Sequence, residues 1–217
     1  MLRYAVLIDA GFVKQKLWPV NRKTVTSEVI ETFIRQLCKS PHFADFRLHR
    51  VYFYDAKPLT TQANHPNGTT IDFAKTSTAK NNEALHTGLE KSPFVALRFG
   101  ELVHQGWRIN VKTLRKANAQ TTFTAADLEP SIQQKGVDMR IGLDIASLTL
   151  KKQVDLIVLV TGDSDFIPAM KFARREGAQL YLVTLGHGVR DVVHQHADLV
   201  ITEPAAHFLV NEPPLPV

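Results

Sequence analysis

Asp163 and Asp165 stand one residue apart in the segment Val160-Thr161-Gly162-Asp163-Ser164-Asp165-Phe166, directly after the apolar run 156–160. Two carboxylates at that spacing are hard oxygen donors that repel unless a cation, a proton or a basic group lies between them, and a divalent metal is the usual solution. The run before them is leucine and β-branched throughout, the pattern of a strand covered on both faces. In open α/β sheets, ligands sit just beyond the carboxyl ends of such strands. A helix cap would also use an acid here, with Asp163 or Ser164 accepting backbone N–H bonds ahead of Pro168. One acid satisfies a cap, and the second is surplus to it. Asp9 follows the apolar run 4–8, and Asp138 opens a helical pattern after Lys135-Gly136-Val137. Asp9, Asp138, Asp163 and Asp165 are therefore expected on one rim of a sheet, where crowded like charges raise one another's proton affinity and destabilise the fold unless neutralised.

The elements that must position these acids alternate along the chain. Strands are expected at 4–8, 48–54, 94–103, 156–160, 180–185 and 199–201, with 106–111 pairing back as an edge. Helices are expected after Gly11 with Phe12, Val13 and Leu17 inward, and from a Thr26 or Ser27 cap to Lys39 with Val29, Ile30, Phe33, Ile34 and Leu37 at helical spacing. Another runs from Asp138 to near Lys151 on an Ile141/Ile145/Leu148 stripe, with Gly142 expected to permit close packing. The helix after Asp165 places Phe166, Ala169, Met170 and Ala173 on one face and stops at Gly177, and a short one surrounds 189–194. Residues 56–92 form a polar insertion in which 56–82 carry at most a short helix, and the connector before Gln134 is also polar. Strands alternating with helices predict an α/β fold: a single domain, residues 1–205, with a central parallel sheet flanked by helices and a proline-rich tail at 206–217.

At 217 residues and 44% hydrophobic content the chain can bury one sizeable core. No apolar run approaches the roughly 20 residues that span a bilayer, and the amino terminus leads straight into a strand, so a soluble cytoplasmic protein is expected. The single cysteine, Cys38, excludes an intrachain disulfide or a thiolate zinc cage. Net charge is +5, which suits a polyanionic partner. The surplus is concentrated: Arg3, Lys14, Lys16, Arg22 and Lys23 stand against Asp9 alone in residues 1–23, and Arg98, Arg108, Lys112, Arg115 and Lys116 against Glu101 in residues 98–116. Basic flanks around a small acidic centre suit a metal-dependent enzyme acting on nucleic acid.

Three blocks taken together, Val6-Leu7-Ile8-Asp9-Ala10-Gly11-Phe12, Lys135-Gly136-Val137-Asp138 with Asp144 six residues on, and Thr161-Gly162-Asp163-Ser164-Asp165-Phe166, resemble the NYN domain, in its LabA-like branch within the PIN-like nuclease superfamily. The resemblance covers roughly residues 3 to 202, leaving 56–92 and the tail without a motif. It implies a Rossmann-like PIN fold and a Mg²⁺- or Mn²⁺-dependent ribonuclease whose metal and catalytic acids are Asp9, Asp138, Asp163 and Asp165. Asp144 would be a fifth acid or a paired one behind the site, because six helical residues turn it about 240° from Asp138. Where the family commonly carries Asn three positions after the first acid, this chain has Phe12. Thr161 and Ser164 could orient a water or a phosphate oxygen, although hydroxyls in such a turn equally bond the local backbone. Lys14, Lys16, Lys135, Arg140 and Arg190 are the expected contacts to RNA, taken as single-stranded; a homo-oligomer is compatible with this reading, and no membrane partner is expected.

Other chemistries fit less well. A haloacid-dehalogenase-like phosphatase places a second Asp where this chain has Gly11, and a dinucleotide fold needs more glycines than Asp9-Ala10-Gly11-Phe12 supplies. His187, His194 and His196 show no zinc spacing and read as surface or hydrogen-bonded residues. The remaining alternative is a non-catalytic RNA- or protein-binding regulator of the same fold.

Overall fold

A computed structural model describes residues 1–21 and 24–210; Arg22, Lys23 and the tail beyond residue 210 lie outside the described residues. The elements run β1 (Leu2–Asp9), α1 (Ala10–Asn21), α2 (Ser27–Cys38), β2 (Phe46–Ala56), β3 (Gln62–Asn64), β4 (Thr70–Asp72), α3 (Ser77–Leu89), β5 (Val95–Ile109) and α4 (Val111–Lys116). They continue with β6 (Leu128–Lys135), α5 (Val137–Leu150), β7 (Leu156–Val160), α6 (Ile167–Arg175), β8 (Gln179–Val183), α7 (Asp191–His194) and β9 (Leu199–Ile201). Seven strands form one sheet in the order β6-β5-β2-β1-β7-β8-β9, parallel except where β6 runs against β5.

Alternation along the central strands sorts the core into two layers. Tyr4, Val6 and Ile8 of β1 pack with Val13 and Leu17 of α1, Ile30, Phe33 and Leu37 of α2, and Leu85 and Leu89 of α3. Ala5 and Leu7 point the other way, onto Ile141 and Ile145 of α5 and Met170 and Ala173 of α6. Every residue of β7 is fully buried, which is why its sequence shows no polar face. Each such aliphatic side chain contributes about 1.5–3 kcal/mol by leaving water, so the centre of the sheet is a rigid base for whatever its carboxyl rim carries. Among the described residues no helix is long and apolar enough to cross a membrane.

Four details differ from the sequence expectation. The insertion at 56–92 holds the β3–β4 hairpin and a full helix, α3, whose N-cap is the Thr76 hydroxyl accepting from Ala79 N–H at 3.2 Å; a modest apolar stripe, Ala79, Leu85 and Leu89, is enough to dock it. Residues 94–111 do not fold back on themselves. Residues 95–109 form the single long strand β5, which pairs with β2 at its start and at its end with β6, from the stretch read as a connector, while Val111 opens α4. Finally, Gly142 has nothing within 4 Å of where a Cβ would stand, so it permits no close packing there.

Close packing occurs at Gly100 instead. A Cβ on Gly100 would lie 2.5 Å from the Lys135 carbonyl oxygen and 2.6 Å from Val137 Cγ2, where β5 supports the chain entering α5. The backbone there cannot yield cheaply, so Gly100→Ala is expected to cost about 1–3 kcal/mol of stability, the usual penalty for overpacking. Urea denaturation measures this, and an unchanged midpoint would rule out the contact.

Candidate functional site

The site begins with register. β1 and β7 are parallel neighbours with Ile8 opposite Val160, so the next residues, Asp9 and Thr161, leave the sheet side by side. The Thr161 hydroxyl, fully buried, donates to Asp9 Oδ2 at 3.2 Å and accepts from the Asp163 backbone N–H at 3.2 Å. Asp9 Oδ1 accepts from Phe12 N–H at 3.3 Å, which ties the first turn of α1 to the same carboxylate. Asp163 Oδ1 accepts from Asp165 N–H at 2.9 Å, so Asp163 does act as a cap while Asp165 supplies the surplus charge. Asp138 arrives from α5, whose preceding Gly136 adopts φ +76°, a left-handed turn that suits glycine.

Electrostatics couples the four acids although they come from three segments. Burial pushes the Asp9 carboxyl above the ordinary Asp value; hydrogen bonds from Phe12, Thr161 and Gly11 oppose this, and the Asp138 charge adds to it. Asp138 is pushed up by desolvation and by the charges of Asp163 and Asp165. No basic side chain offsets either shift, and none of the four acids has an ion pair among the described residues.

Two other acids are handled differently. Asp55, at the end of β2, is 3% exposed and meets Lys14 Nζ at 2.7 and 3.0 Å and His86 Nε2 at 2.8 Å. Burial pushes its carboxyl up, but the His86 hydrogen bond and the Lys14 charge outweigh burial and hold it below the ordinary value. Lys14 also donates to Asn82 Oδ1 at 3.2 Å. The structure thus commits Lys14 to Asp55 and withdraws it from the expected phosphate contacts; its charge is legible in the sequence, its partner is not. Asp144 accepts from the Tyr54 hydroxyl at 2.8 Å and from Arg98 Nε at 3.0 Å, a paired acid set apart from the four on the rim.

The other expected residues surround the rim. Arg190 donates to the Ser164 hydroxyl, which brings its guanidinium to the Asp163–Asp165 turn. Lys135 and Arg140 are exposed and flank Asp138 in the chain, without an ion pair among the described residues. Lys16 Nζ lies 3.1 Å from His187 Nδ1. His187, read from the sequence as a surface or hydrogen-bonded residue, is both, and it also lines a pocket of about 400 Å³ with Asp9, Phe12 and Asp163. The available signal was its place in Gly186-His187-Gly188, just past the carboxyl end of β8 on the same rim.

The NYN domain family model matches residues 50–202. This chain belongs to the NYN domain family. That family lies within the PIN-like nuclease superfamily, and the mixed α/β architecture is that of a single PIN-like domain. The matched span holds Asp138, Asp163 and Asp165; β1 with Asp9 precedes it. Over 73 residues the NYN chain is 32% identical to an uncharacterized protein of Methanocaldococcus jannaschii, covering 34% of this chain and 30% of that protein, well under two thirds of its length. A crystal structure of a protein of unknown function from Vibrio parahaemolyticus shares the fold at a TM-score of 0.50 and 13% identity, covering 92% of this chain and 91% of that one.

Whether this NYN site suits a divalent cation is a matter of its donors. They are all oxygens, the preference of Mg²⁺ and Mn²⁺. Among the described residues no three His, Cys, Asp or Glu side chains form a ligating group. That arrangement fits an ion held by one or two carboxylates that keeps several waters and takes phosphate oxygens from a substrate, the habit of Mg²⁺, and not a closed protein cage.

The pKa directions give a test. An acid whose folded pKa is raised costs stability in full above that value, and the cost is relieved as pH falls through it toward the ordinary Asp range. Asp138→Asn is therefore expected to raise the melting temperature of the metal-free protein at pH 7, with the advantage largely gone near pH ~4. Lys14→Met, which strips a buried carboxylate of its cation, is expected to destabilise by about 3 kcal/mol. Thermal unfolding at the two pH values reads both.

Proposed function

We propose that this NYN domain is a Mg²⁺- or Mn²⁺-dependent ribonuclease of the LabA-like branch that hydrolyses phosphodiester bonds of single-stranded RNA in the cytoplasm. The observation that carries the reading is the contrast among the acids. Asp55 and Asp144 each have their own cation, whereas Asp9, Asp138, Asp163 and Asp165 share one rim with none. A fold that pairs its structural acids and leaves four together without a counter-ion is holding them for an external one.

Bound there, a divalent ion would supply a water of lowered pKa and neutralise charge developing on the scissile phosphate. The chain's own residues do the positioning. Asp9, Asp138, Asp163 and Asp165 are the acids from which the one or two carboxylate ligands of the ion would come, and the Thr161 hydroxyl fixes the orientation of Asp9 by donating to it while the Asp163 N–H holds that hydroxyl in place. Arg190, steered by Ser164, reaches toward a phosphate oxygen, while Lys135 and Arg140 offset the repulsion between the acids and the RNA backbone.

Asp163→Asn should abolish Mn²⁺-dependent cleavage of single-stranded RNA while the protein stays folded, because the Asn Oδ1 can still accept the Asp165 N–H bond. EDTA should do the same to the wild type. Metal-independent cleavage, or undiminished cleavage by the variant, would sink the proposal, and RNA binding without any cleavage would favour the non-catalytic regulator. Replacing Lys135, Arg140 and Arg190 together with Gln should weaken binding to unrelated RNA sequences alike and flatten the log affinity–log salt slope by about 2. Filter binding across a salt series measures it, and sequence-selective loss would argue against backbone contact.

A further inference from the structure

Resting on the ribonuclease reading, we infer that the pocket between α1 and the loop after β8 receives one unpaired nucleobase of the RNA, with Phe12 and His187 as its stacking walls. The pocket opens beside Asp9 and Asp163 and is otherwise lined by Phe12, Gln15, Lys16, Gly162 and His187, so a base in it belongs to a nucleotide next to the acids. The two rings stand 5.9 Å apart at 62°. They can meet there because position 162 is glycine: a Cβ would lie 2.5 Å from His187 Cδ2 and 2.6 Å from Phe12 Cε2. Any side chain at 162 would push the wall apart, a second demand on that glycine besides making the turn.

The polar groups complete a nucleotide's chemistry. Lys16 Nζ lies 3.1 Å from His187 Nδ1, so its charge stands against the imidazole wall of the pocket. Lys16 Nζ also lies over the Phe12 ring, 5.7 Å from its centroid, so the pocket holds a cation beside its aromatic surface, where it can meet the phosphate of a bound nucleotide. Gln15 offers an amide donor and acceptor to a base edge. Phe12 is partly buried at the border of the core and His187 is exposed, so both rings reach the pocket. The backbone N–H of Phe12 holds Asp9 while its ring lines the pocket, so one residue fixes both the acid and the base position. Bases in a duplex are stacked and paired and present no free face, whereas single strands splay bases onto Phe and His. The pocket therefore selects unpaired RNA. Phe12 is its main wall.

The test compares a short oligouridylate with an oligomer of the same length in which every base is replaced by hydrogen, both titrated by fluorescence anisotropy in EDTA so that the RNA stays intact. Phe12→Leu and, on the exposed loop where folding is not at stake, His187→Ala should each weaken the oligouridylate about tenfold and leave the base-free oligomer unchanged. Equal weakening of both ligands, or of neither, overturns the pocket. The readout is independent of cleavage: base-selective loss in a protein that never cleaves RNA upholds the pocket and rejects the nuclease, while metal-dependent cleavage without base-selective loss does the reverse.

Discussion

Uncompensated negative charge at the carboxyl rim is the constraint that organises this molecule. Carboxylates brought together out of water must be neutralised, protonated or held apart at a cost in stability. The protein uses the first solution twice, with Lys14 and His86 at Asp55 and with Arg98 at Asp144. At Asp9 and Asp138 it bears the cost, and the buried centre of β1 and the fully buried β7 beneath supply the stability that makes this tolerable. The basic groups nearby approach from the side: Arg190 through Ser164, and Lys16 through His187.

Much of the frame was legible because burial leaves a plain signature. The residues of β7 are an unbroken apolar run, the inward stripes of α2, α5 and α6 recur at helical spacing, and Gly177 stops α6 with φ +91°. Elements held by weaker burial were not legible. β6 reads Leu-Glu-Pro-Ser-Ile-Gln-Gln-Lys, an exposed edge with no clean alternation, and it exists because β5 offers it a row of free backbone groups. α3 hid in a polar stretch since few apolar side chains dock it.

The acids of the site were visible one by one as residues at strand ends and helix starts. Their place on one rim was expected from strand ends, but the bond that fixes Asp9 was not visible, since Asp9 and Thr161 touch only through the pairing of β1 with β7, 152 positions apart in the chain. The same limit explains Lys14 and His187. A lysine near an acidic centre looks like a phosphate contact until Asp55 is seen to hold it, and a surface or hydrogen-bonded histidine gains a pocket to line only where a glycine lets it close against Phe12. Types and spacing name the chemistry, and tertiary pairing decides which copies of a residue type perform it.

β5 changes partner midway, running parallel to β2 as far as Gly100 and antiparallel to β6 from Glu101 onward. The acids of the rim therefore have different supports: Asp9 and Asp163 follow the buried middle of the sheet, while Asp138 opens α5, whose Val137 and Ile141 are buried in the core. The close approach of Gly100 to the Lys135 carbonyl and Val137 joins the two supports at the point where β5 leaves β2 for β6. A side chain at position 100 would push on the start of α5, and so on Asp138, from a residue that touches none of the acids.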